Sequence, residues 1–139
     1  MKRYLYISLA IAGLVICGCS SQSPELSEGI YRWTTSLHKP NVEHDYGGVI
    51  EHRVILKGEN ISIVPLGETT NGWYQGKLEK DKLTFSPHFT NPSPERERYN
   101  LMETWDGTII ANDKAEGTMN MFTGTNVVMS GSWSLVKIQ

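Results

Sequence analysis

Three of the four histidines in this 139-residue chain fall close together: His38, His44 and His52, with Glu43, Asp45 and Glu51 beside them. Imidazole and carboxylate are donors that suit zinc or copper. The spacing fits no compact ligand motif, and no cysteine joins the set. "HKPNVEHDYGG" therefore reads first as a solvated acidic loop, and only second as a metal site held by His38, His44 and His52. His52 stands apart. Strand alternation puts it on one face with Ile50, Val54 and Leu56. If that face is interior, His52 is a buried polar group that needs a partner, either within the protein or on a ligand. The same alternation groups Tyr99, Leu101, Glu103 and Trp105 on one face, and Gly117, Met119 and Met121 on another. Glu103 is then a second interior polar group, or that face is outside.

Nucleophilic chemistry finds little support. There is no Gly-x-Ser-x-Gly elbow, phosphate loop or dinucleotide fingerprint. Asp81, Asp106 and Asp113 sit in turn-like contexts, where aspartate serves local hydrogen bonding. The chain reads as a non-enzyme with no cofactor. Its candidate binding residues are His52, Trp33, Trp73, Trp105, Met119 and Met121. Tryptophan is large and rigid, and methionine is adaptable, so together they suit the wall of an apolar pocket. They suit ordinary core packing equally.

Cys19 is the other reactive group. Lys2 and Arg3 form a basic head, and Tyr4 to Ile16 is almost continuously apolar. That run is too short for a stable spanning helix, which needs about 20 residues, but it suits the core of a secretory signal. It ends Ile16-Cys17-Gly18-Cys19, which resembles the lipobox of bacterial lipoproteins. The resemblance implies that Cys19 takes a diacylglyceryl thioether, that residues 1–18 are removed, and that the freed amine accepts a further chain. Two chains make anchoring stable. Ser20 after the cysteine implies the outer membrane if the cell is Gram-negative. The alternatives are a plain signal peptide or an N-terminal anchor helix.

Removing those 18 residues leaves 121 and moves the formal charge from −2 to −4, since Lys2 and Arg3 go with them. No cysteine other than Cys19 remains, so no disulfide is expected and the core alone must hold the fold. Net negative charge without basic clusters argues against nucleic acid as a partner. Residues 19–28, "CSSQSPELSE", read as the lipidated cysteine and a polar tether, with order beginning near Gly29.

Residues 29–139 read as one all-β domain. Short alternating or β-branched runs are separated by turn residues. "KGEN", "KD", "NDKAE" and "GTN" mark turns, and Asp106-Gly107 is a further hairpin signal. No stretch shows a sustained helical period. "HFTNPSPERE" reads as a long loop at one barrel mouth, with a short helix as the alternative. The pattern gives about eight to nine antiparallel strands in an up-and-down meander, closed as a barrel or, alternatively, open as a β-sandwich. Trp73–Phe85 and Trp105–Met119 form a weak repeat of tryptophan, glycine, aliphatic strand, Asp-Lys turn and return strand. The opening Gly29-x-Tyr31-x-Trp33 and the closing Gly131-x-Trp133 complete a layout that resembles small lipocalin-like (calycin-type) barrels. That resemblance implies a closed barrel that binds a small apolar or amphiphilic molecule. The contrasting expectation is a packed barrel whose loops bind an envelope protein, an enzyme to be inhibited or a surface polymer.

Overall fold

A computed structural model describes residues 22–67 and 72–139. The signal segment and Cys19 lie outside the described residues. Eight antiparallel strands follow one another: β1 (Gly29–His38), β2 (Asp45–Lys57), β3 (Asn60–Pro65), β4 (Gly72–Glu79), β5 (Lys82–Phe89), β6 (Leu101–Ala111), β7 (Lys114–Thr123) and β8 (Asn126–Lys137). Each pairs with the next, and β1 also pairs with β8 from Tyr31↔Lys137 to His38↔Ser130. The sheet is thus a closed up-and-down barrel, not an open sandwich. Closure removes both sheet edges, which a sandwich leaves exposed.

Eight strands replace the upper count of nine because Asp106-Gly107 is not a hairpin. It lies mid-strand in β6, where Asp106 pairs with Thr118 and Gly107 with Gly117. The glycine serves a ring instead of a turn. A Cβ at Gly107 would lie 2.3 Å from Cζ2 of Trp133, and one at Gly117 2.7 Å from the same atom. Trp133 lies across these two backbones, and its Nε1 donates to the Thr118 carbonyl at 3.1 Å. Alternation sends Tyr31, Trp33, His52, Val54, Ile61, Ile63, Leu83, Phe85, Trp105 and Leu135 inward. Arg32, Glu51, Arg53, Asp106 and Glu116 face water outside.

The connection between β5 and β6 carries a short helix, α1 (Pro94–Tyr99), where a loop reads more naturally from the sequence. Ser93 caps it, accepting from Arg96 N, and Pro94 starts it without wasting a donor. Asn100 ends it in the left-handed conformation. Tyr99 therefore belongs to α1, not to the inward face of β6, and it is exposed.

The barrel has two unlike ends. At the mouth lie the C-terminal ends of β1, β3, β5 and β7. At the base lie the turns after β2, β4 and β6 and the incoming N-terminal segment. Glu25 to Glu28, within the stretch read as a tether, is held there. Leu26 is buried. Glu25 N donates to Asn112 Oδ1, and Glu28 Oε1 accepts from Leu56 N.

Candidate functional site

Trp33 sits at the centre of the interior, 3% exposed. Its ring lies 4.6 Å from Tyr74, 4.8 Å from His52 and 5.0 Å from Trp105, centroid to centroid. Edge-to-face pairs of this kind add about 0.5–1.5 kcal/mol each beyond area burial. Against this aromatic group a pocket of about 280 Å³ opens toward the mouth. Met119 and Met121 of β7 and Met129 of β8 supply one wall, and Leu37 and Ile50 the rim. Ile50 faces inward yet is 55% exposed, because β3 pairs with β2 only as far as His52↔Pro65. The base half of the barrel is solid. Ile61, Ile63, Leu83 and Leu135 fill it, each at most 1% exposed.

Three polar groups enter this apolar space. His52 is buried, and its Nδ1 lies 3.2 Å from the Ile50 carbonyl. Nδ1 donates there, which leaves Nε2 as an acceptor on a neutral ring. Burial pushes the His52 pKa below the usual histidine value, and the bond to Ile50 opposes this in part. Glu103 is the second group. Its carboxylate accepts from Trp105 Nε1 at 3.0 Å and forms an ion pair with Arg96 of α1. Arg96 also lies over the Phe89 ring, 4.1 Å from its centroid. Tyr74 is the third. Burial raises its pKa and the nearby Arg96 charge lowers it. Burial also lowers the Arg96 pKa. With Glu103 paired and His52 neutral, the pocket favours an uncharged group. Trp33 Nε1 is buried without a hydrogen-bond partner among the described residues.

Five of the six candidate binding residues converge here: His52, Trp33, Trp105, Met119 and Met121. Trp73 does not. It faces outward, 38% exposed, and stacks on His88 at 5.7 Å and 14°. Its neighbour Tyr74 takes the inward place. The glycines explain this. Gly76 and Gly107 both face inward, but Gly76 follows its tryptophan by three residues and Gly107 by two. The odd offset puts Trp73 on the other face. Gly76 needs to be glycine, since a Cβ there would lie 1.9 Å from the Thr84 carbonyl oxygen.

His38, His44 and His52 do not converge. His38 Nε2 lies 3.2 Å from Ser130 Oγ at the rim, His44 is exposed in the β1–β2 connection, and His52 is inside. Among the described residues no group of three or more histidine, cysteine, aspartate or glutamate side chains is placed to hold a metal ion. Arg96, like Tyr74 and Met129, is a site residue that sequence reading missed. "PERERY" looks like a solvated charge run. The usable signal was Glu103, because an interior carboxylate calls for a cation and the adjoining segment holds two arginines.

A second polar cluster marks the base. Asp113 Oδ1 accepts from Ser27 Oγ at 2.6 Å and from Ser27 N at 2.8 Å. The Tyr31 hydroxyl lies 2.8 Å from that oxygen, and Lys137 Nζ donates to Ser27 Oγ at 2.7 Å. The Ser27 bonds lead in holding the Asp113 carboxyl below its ordinary range. Ser27 has both its proton and a lone pair committed, so the cluster works as a clamp on the N-terminal segment. Compared with known proteins, the chain matches no family model, no curated protein and no solved structure.

Proposed function

We propose that this protein is a lipoprotein of the cell envelope, anchored through Cys19, whose barrel binds a small apolar or amphiphilic molecule at its mouth. One observation carries the binding part: the pocket of about 280 Å³ between a solid base and an open rim. A small barrel of eight strands is either filled by side chains or left with room for one small ligand. This one is filled at the base and open at the mouth. Its lining is aromatic and thioether, with a few polar groups to orient a guest, as ligand sites generally are. The anchoring part rests on the lipobox resemblance of Ile16-Cys17-Gly18-Cys19 and on the short apolar run before it. The contrasting reading, a protein-binding barrel, draws on Tyr46 and Val49, which are exposed where β2 extends past β3.

Native mass spectrometry on Ser20 to Gln139, beside a denatured control, tests the binding part. Excess mass that vanishes on denaturation supports it. Bare mass after incubation with an envelope lipid extract counts against it and favours a protein partner. Metabolic labelling with a clickable fatty acid tests the anchor. Label on the wild type that is absent from Cys19→Ser is the expected result.

A further inference from the structure

The barrel wall has a gap. β5 and β6 pair only from Lys82↔Thr108 to Phe85↔Trp105. Toward the mouth, Ser86–Phe89 and Leu101–Thr104 run on without each other, although all of these residues keep their partners on the far side, in β4 and β7. Pro87 is tolerated within β5 because the strand runs there along an open edge. Outside the gap lies an apolar cleft of about 860 Å³, walled by Phe89, Pro92, Leu101, Met102 and Phe122. Inside it lies the lumen pocket. Arg96 and Glu103 line both spaces, so their ion pair stands at the junction.

Depth offers a guest nothing more, since the base is packed with Ile61, Ile63, Leu83 and Leu135. A molecule too long for the lumen buries further apolar surface only by turning sideways through the gap. Charge is constrained as well. Arg96 and Glu103 neutralise one another, and Glu103 also takes Trp105 Nε1. An extra carboxylate or ammonium beside them would be a buried charge without a partner.

Building on the ligand-binding reading above, we propose that the lumen pocket and the lateral cleft are one bent site, and that its ligand is an uncharged single-chain amphiphile, of the class of long-chain alcohols or monoacyl esters. One end lies among Trp33, Trp105 and Met119. The chain passes the Arg96–Glu103 pair and continues along Met102 and Phe122. Met102 is 52% exposed, and a methionine wall adapts readily to a flexible chain.

Isothermal titration of the Ser20–Gln139 chain with n-alkanols from hexanol to hexadecanol tests this. Affinity is expected to rise about fourfold per methylene and to keep rising after the lumen is full. Met102→Glu, on an exposed position, is expected to weaken the long alcohols by about tenfold and to leave hexanol within about twofold. Met121→Glu, in the lumen, is expected to weaken all of them. Near-UV circular dichroism checks that each variant keeps its aromatic packing, and Pro92→Glu serves as a second cleft variant if Met102→Glu does not fold. Long alcohols that bind no tighter than short ones, or that are indifferent to the cleft variants, overturn the bent site and leave the lumen pocket standing. Failure of every alcohol to bind overturns the proposal and also counts against ligand binding in the lumen.

Discussion

His52 stays neutral because its buried surroundings solvate a charge poorly, an effect that outweighs the opposing bond from Nδ1 to the Ile50 carbonyl. The consequence for stability has a definite sign. The folded pKa is depressed, so below about pH 6.5 the unfolded chain takes up a proton that the fold refuses. Stability then falls as pH drops. Urea midpoints at about pH 7.5 and about pH 5.5 check this, and His52→Leu is expected to show a smaller acid-side loss than the wild type. Tyr31 works in the opposite range. Burial first, and Asp113 second, raise its pKa above 10, so the fold loses stability as pH rises past about 10, where the unfolded chain ionises. Tyr31→Phe removes that dependence and costs about 1 kcal/mol at neutral pH through the lost hydrogen bond. Glu103 and Arg96 form a pair whose halves are not equivalent. Arg96→Ala leaves a buried carboxylate with Trp105 Nε1 and is expected to destabilise the fold by about 3 kcal/mol in chemical denaturation. Glu103→Gln keeps an acceptor for Trp105 and is expected to cost less. His52 and Glu103 were both legible in the sequence as polar residues on apolar faces. Arg96 was not, because its partner lies seven positions away, across a helix–strand boundary.

Among the elements, β6, β7 and β8 show how an aromatic ring selects its neighbours. Trp133 needs two residues without side chains beneath it, and Gly107 and Gly117 are cross-strand partners at that place. Gly117→Ala is expected to cost about 1–3 kcal/mol by overpacking, read as a lowered urea midpoint with unchanged slope. Gly124, at a positive φ of 58° with nothing near its missing Cβ, loses only the ease of its turn if replaced. Strand order, the four tight turns and the inward faces of β1 and β2 could all be read from alternation and turn chemistry. Two errors came from one cause. Local pattern treats Asp106-Gly107 as a turn and Trp73 as the twin of Trp105, yet each position is decided by what lies across the sheet. α1 is only the second reading of its segment in the sequence because six residues are too few for a helical period to show, although Ser93-Pro94 supplies a cap and a start.

Taken whole, the barrel is closed at one end and open at the other. The N-terminal segment enters at the closed end, clamped by Asp113, Lys137 and Asn112. If Cys19 carries lipid, the base faces the bilayer and the mouth faces away from it. A chain that starts at Gly29 is expected to be less stable than one that starts at Gln22, by roughly 2–3 kcal/mol, from exposure of the apolar surface that Leu26 covers and loss of the Ser27 bonds. Thermal unfolding of the two chains measures this directly.

The pairing of β1 with β8 also sets a timetable. The first strand has one neighbour at once, in β2, but its other neighbour is the last strand of the chain, about a hundred residues later. Contacts so distant in sequence form late and slowly. A nascent chain that has reached β7 therefore has a meander with two open edges and a Trp133-shaped vacancy over Gly107 and Gly117. It completes its interior only when β8 arrives. If the chain crosses a membrane unfolded, as the proposed anchoring at Cys19 requires, it is thereby kept pliable for most of its passage and commits to its final shape at the last moment.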